Sequence, residues 1–167
     1  MTDVPEPRVS RATRLLGYAG LLPQVAVLVF VAIARWRGDG FTWADGAGSA
    51  VALGIAYPLL ILSFLGGIWW GFAMRRHAGQ GSLAALAVTP SLAALALLGL
   101  LAAIGHIGLT LVAIGSAIIL TLLVDRRLTQ GGEAPDDWMQ LRIPLSLGLG
   151  GATILLGILV GGPVTLY

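Results

Sequence analysis

Four long stretches without a charged side chain divide the chain: Leu15 to Ala34 (20 residues), Gly46 to Met74 (29), Ala78 to Val124 (47) and Ile143 to Tyr167 (25). A helix rises 1.5 Å per residue, so about 20 apolar residues cross the ~30 Å hydrocarbon core of a bilayer. Three of the stretches hold one crossing each. The longest holds two, reversed at Gly105-His106-Ile107-Gly108, where glycine permits a tight turn and histidine is the sole titratable side chain. The pattern predicts an all-α polytopic bundle of five transmembrane helices at about 15–35, 48–73, 83–103, 108–124 and 143–163. These form one domain, 15–163, behind a tail, 1–14, and they leave a polar loop at 125–142.

The charges orient this arrangement. All ten basic residues are arginine, and five alternating helices put eight on one side: Arg8, Arg11, Arg14, Arg75, Arg76, Arg126, Arg127 and Arg142. Arg35 and Arg37 are left on the other. An excess of arginine marks the cytoplasmic side, so the N-terminus, the 75–82 loop and the 125–142 loop are expected in the cytoplasm and the C-terminus outside. Tryptophan and tyrosine favour headgroup depth, and Tyr18, Trp69, Trp70 and Trp138 fall near the inner interface on this scheme. One alternative takes the N-terminal arginines, the first apolar run and Ala32-Ile33-Ala34 as a cleavable signal peptide. That run is long for a signal and carries Pro23 and Gln24, and removing it would leave four helices in the same orientation.

Composition narrows the function classes. Hydrophobic residues make up 57% and charged residues 11%, with a mean hydropathy of +0.90. A soluble fold of this size could not hide so much apolar surface, so the lipid bilayer is the expected solvent. There is no cysteine, hence no disulfide framework and no thiolate chemistry. The arginines sit in pairs beside apolar runs and form no basic face, so no nucleic-acid partner is expected.

Pro23, Pro58 and Pro90 lie inside predicted spans. Each removes one backbone hydrogen bond and frees the carbonyl four residues earlier, on Ala19, Gly54 or Leu86. Such kinks either line a transport site or serve ordinary packing. Ser63, Gly67 and Gly71 recur every four residues, as do Gly157 and Gly161, a spacing that lets helix backbones approach closely within a bundle or with a partner. No charged residue falls within a predicted span. Gln24, Tyr57, Ser63, Thr89, Ser91, Thr110, Ser116, Thr121 and Thr153 are the polar groups there, with packing as their default role.

Neither catalysis nor a cofactor or metal is indicated. His77 and His106 fall on opposite faces of the membrane and cannot share a ligand. Asp136 and Asp137, between Pro135 and Trp138, read as a helix cap leading into span five. Asp125, beside Arg126 and Arg127, reads as a solvated helix terminus. An enzyme acting on lipid would need these acids gathered with His77 and the arginines, and no motif marks such a site.

The stretch SFLGGIWWGFAMRR, Ser63 to Arg76, combines these elements. Arg75 and Arg76 close helix two, Trp69 and Trp70 anchor it at the interface, and Ser63, Gly67 and Gly71 form a close-packing stripe. Arg126, Arg127 and Trp138 are the matching anchors of the second basic loop. Taken in order, Leu16-Gly17-Tyr18-Ala19-Gly20-Leu21-Leu22-Pro23, Ser63-Phe64-Leu65-Gly66-Gly67-Ile68-Trp69-Trp70-Gly71, Pro90-Ser91-Leu92, Asp125-Arg126-Arg127-Leu128 and Leu141-Arg142-Ile143-Pro144-Leu145 resemble the membrane family called domain of unknown function 3429, related to the animal mitochondrial transmembrane protein 69. The resemblance runs from about Arg14 to about Val160, and Ser63, Gly66, Gly67, Trp70 and Gly71 are its most specific residues. It implies a small multi-span protein of the bacterial inner membrane and offers no reaction. Many relatives carry a polar residue, often His or Arg, at the position of Trp69.

Two function classes follow. The first is a non-enzymatic accessory or assembly subunit, working through a homo-oligomer or a membrane-protein partner. The second is a small-solute transporter or channel built on the proline-kinked helices, with a polar cavity near Gln24, Tyr57, Ser63 and Thr89.

Overall fold

The computed structural model describes residues 10–38, 46–76, 78–135 and 137–161. These form six helices: α1 (Arg11–Ala19), α2 (Leu22–Trp36), α3 (Gly46–Met74), α4 (Gln80–Ile104), α5 (Ile107–Gln130) and α6 (Trp138–Val160). α1 and α2 together make the first crossing, so five helical units are long and apolar enough to span a membrane. Among the described residues there is no strand. Residues 1–9, His77, Asp136 and the expected end of span five beyond residue 161 lie outside the described residues.

The short connections make successive spans antiparallel. The start of α1, the end of α3, the start of α4, the end of α5 and the start of α6 therefore share one end of the bundle, here called the basic end. At the opposite end the reversal between α4 and α5 takes only two residues. Gly105 closes α4 with φ +62°, a left-handed conformation that glycine adopts without steric cost. His106 then caps α5, its Nδ1 accepting the Leu109 N–H at 3.3 Å. Gly108, expected in the turn, lies inside α5.

α5 and α6 pack closest. A Cβ on Gly115 would come 2.5 Å from the Gly150 carbonyl oxygen, and one on Gly150 would come 2.7 Å from that of Gly115. Gly108 and Gly157 repeat the arrangement two turns away, at 2.8 and 2.7 Å. Backbone thus lies on backbone at two levels of an antiparallel pair, the geometry that small residues permit between membrane helices. The apolar core gathers Val31, Val51, Leu62, Leu111, Ile114, Ile118 and Leu156 from α2, α3, α5 and α6. α4 is peripheral, with Leu83, Ala87 and Pro90 as its buried residues.

The helices at the basic end run farther than expected. α5 continues to Gln130 and α6 begins at Trp138, which shortens the polar loop from 125–142 to seven residues, 131–137. The reason is periodicity. Ile118, Thr121, Asp125 and Leu128 continue one buried helical face past the first charge, and Leu141 and Arg142 begin another that runs on through Ser146 and Leu149. Asp125 and Arg142 are therefore helical and buried, which overturns the expectation of charge-free spans. Pro144 lies inside α6.

Candidate functional site

At the basic end α3, α5 and α6 bring together five side chains drawn from positions 69 to 142. Asp125 is fully buried and Arg142 is 5% exposed. The Arg142 Nε donates to Asp125 Oδ2 at 2.7 Å, and its Nη2 donates to Thr121 Oγ1 at 3.2 Å. The other carboxylate oxygen, Oδ1, accepts two indole N–H groups, from Trp69 at 2.9 Å and from Trp138 at 3.4 Å. The Trp138 ring lies under the guanidinium, 5.9 Å from its centroid, and meets Phe72 edge-on at 5.8 Å.

The chemistry of this cluster is that of a clasp. Two charges out of water are tolerable only if they are paired and their remaining hydrogen-bonding sites are met. Here one carboxylate receives three donors, two on Oδ1 and one on Oδ2, each from a different side chain. Among the described residues no group of three His, Cys, Asp or Glu side chains could hold a metal ion. Two further ion pairs surround the clasp. Arg14 donates to Asp137 at 3.2 Å, tying α1 to the start of α6. Arg76 pairs with Glu133, tying the end of α3 to the α5–α6 loop.

The interface anchors are distributed differently from expectation. Trp69, expected at headgroup depth, is 2% exposed and bonded to Asp125. Its neighbour Trp70 points outward and is half-exposed. The i, i+1 offset of 100° on a helix separates the two. Arg75, Arg126 and Arg127 are exposed, while Arg76 is half-buried and paired. Trp138 is half-buried inside the clasp. Asp125, read from sequence as a solvated terminus, is the centre of the cluster. Asp137 flanks α6 as expected of a cap residue, but makes no side-chain cap bond and takes the Arg14 guanidinium instead.

Deeper in the bundle the prolines explain the polar residues. Pro58 has no N–H for the Gly54 carbonyl, and the Gln24 Nε2 on α2 donates to that oxygen at 3.3 Å. The Gln24 side chain is fully buried, and its Oε1 has no hydrogen-bond partner among the described residues. Pro23 breaks the first span between α1 and α2, and the Tyr57 hydroxyl on α3 donates to the Gly20 carbonyl at that break. Pro90 frees Leu86, whose carbonyl accepts the Thr89 hydroxyl at 2.7 Å. Ser63 and Ser91 bond to each other at 2.8 Å across α3 and α4. The four residues expected around one polar cavity thus sit in separate arrangements, each with a partner.

The glycine-rich motif of α3 also divides. Gly66 is the packing residue: its position faces the Ala87 carbonyl and Pro90 of α4. Gly67 and Gly71 are exposed, with open space where a Cβ would be. They lie on an outward face with Phe64 and Met74, both exposed. The expected stripe therefore splits: Ser63 bonds to Ser91 of α4, while Gly67 and Gly71 meet nothing within this bundle. At the end of α6, Gly157 packs on α5 while Gly161 caps the helix.

A family model described as protein of unknown function (DUF3429) matches residues 9–159. No curated protein and no solved structure matches the chain.

Proposed function

The chain belongs to the DUF3429 family, and from that premise we propose that it is a multi-pass subunit of a bacterial cytoplasmic membrane, acting by helix packing as an accessory or assembly component and not by catalysis. The observation that carries this reading is the outward notch of α3. Gly67 and Gly71 leave open space at their Cβ positions, and Phe64 and Met74 stand exposed on either side. A notch of that form admits the backbone of another membrane helix, from a second copy or from a different protein. The Gln24 amide N–H, the Tyr57 and Thr89 hydroxyls and the Ser63–Ser91 pair support the same reading over transport, because each is taken up by a partner inside the protein. The seven arginines described at the basic end, Arg11, Arg14, Arg75, Arg76, Arg126, Arg127 and Arg142, support a cytoplasmic location for it on this proposal.

The test is crosslinking and affinity purification in a mild detergent, comparing the native chain with Gly67→Leu and Gly71→Leu. A crosslinked partner or homo-oligomer is expected from the native chain, reduced on the order of tenfold by either substitution if the notch contributes about 1.4 kcal/mol. A strictly monomeric native chain with no co-purifying protein would overturn the proposal. Reporter fusions at the two ends of the basic loop test the orientation.

A further inference from the structure

α3 and α4 touch closely at Gly66 and Ala87 and are tied by Ser63 and Ser91, then separate toward the end opposite the basic one. The gap is a groove of about 650 Å³. Ala52, Ala56 and Leu60 line it on α3, and Ala94, Leu95 and Leu98 on α4. The Ser63–Ser91 pair closes it, each hydroxyl engaged with the other.

Its dimensions and its neutrality select an occupant. From Ala52 to Ser63 the groove follows α3 for about 16 Å at 1.5 Å per residue. α3 is centred near residue 60, so this length starts near the edge of the hydrocarbon core and closes just past its middle. That is the depth of one leaflet, half of the ~30 Å core. A partner helix crossing the membrane would have to run on past the closed end, at the Ser63–Ser91 pair and the Gly66–Ala87 contact, whereas an acyl chain of one leaflet, about 4 to 5 Å wide by carbon contact distances, stops there. The walls are uncharged and aliphatic along their length, the complement that a neutral hydrocarbon requires. The groove also opens sideways between two spans, where the lipid is.

We infer that this groove is a binding site for one acyl chain of a bilayer phospholipid in the leaflet opposite the basic end. The small side chains Ala52, Ala56 and Ala94 make the room, and the serine pair sets how deep the chain reaches. The site is separate from the notch of α3 and does not depend on the reading of that notch.

The experiment uses the native chain in nanodiscs of phosphatidylcholine carrying a photoactivatable diazirine near the end of one acyl chain. Crosslinked residues are mapped by mass spectrometry. Labelling at the groove residues is expected on the order of fivefold above that at Leu120, Leu123 and Leu155, ordinary lipid-facing positions. Ala56→Trp and Ala94→Trp, each made singly, are expected to abolish that excess while leaving the reference positions unchanged. Uniform labelling of groove and reference residues would overturn the inference without need of any variant. So would a groove that resists labelling because a protein partner covers it, or recovery from native membranes of a neutral isoprenoid in place of phospholipid.

Discussion

Two regions of this molecule solve the same problem in different ways. Polar groups inside a bilayer must find partners within the protein. At the basic end the solution is ionic: Asp125 and Arg142, enclosed by Trp69, Trp138 and Thr121. In the middle of the bundle it is neutral: Gln24, Tyr57 and Thr89 supply donors at backbone carbonyls beside the proline breaks. The ionic solution fixes three helices at one point, but each charge becomes a liability once its partner is gone. The neutral solution is distributed, and each loss exposes a single carbonyl. The comparison predicts a steep hierarchy of mutational effects, readable as unfolding free energy in detergent or bilayer.

The largest effect is expected for Asp125→Ala, which leaves Arg142 buried without its counter-ion and should cost about 3–5 kcal/mol. The double substitution Asp125→Leu with Arg142→Met removes both charges and should recover most of that loss. A double variant as unstable as the single one would break the ionic side of the comparison.

Gln24→Leu comes next, at about 1–3 kcal/mol for an unsatisfied buried carbonyl. The sharper test is the same substitution in a Pro58→Ala background, where residue 58 regains an N–H for Gly54. There Gln24→Leu should cost under about 1 kcal/mol, a coupling measured by the double-mutant cycle. An unchanged cost would show that Gln24 does not act through the proline break.

Trp69→Phe keeps an aromatic ring and removes one donor to Asp125, an expected loss of about 1.5–3 kcal/mol for a hydrogen bond to a charged group. Trp69→His retains a ring N–H and should restore part of it in thermal unfolding. Thr89→Val is the smallest, about 0.5 kcal/mol, because its hydroxyl bonds to Leu86 within the same helix.

The number of crossings and their approximate limits were legible because apolar length is a strong signal and the bilayer sets its scale. The pairing of Asp125 with Arg142 was not. Each sits where an apolar stretch stops, and a charge at such a place reads as a terminus. What could have revealed them is the buried face itself, which runs through Thr121, Asp125 and Leu128 on α5 and resumes at Leu141 and Arg142 on α6. Trp69 was misread for a related reason: two adjacent tryptophans look alike in sequence, yet the helix turns one inward and the other outward. The indole N–H of Trp69 also supplies to Asp125 the donor that a histidine or arginine there could offer. The Gly54 carbonyl freed by Pro58 could be named from sequence, but the Gln24 side chain that covers it from another helix could not.

The reciprocal bonds at the proline breaks bear on how the chain is made. Gly54 of α3 takes its donor from α2, and Gly20, beside the break in the first span, takes its donor from α3. Neither of the first two spans is fully satisfied while it is alone in lipid. During synthesis the first must wait at the translocon, or beside it in contact with water, until the second emerges, so that the two enter the membrane as one hairpin. For biogenesis, the unit of insertion is then the pair.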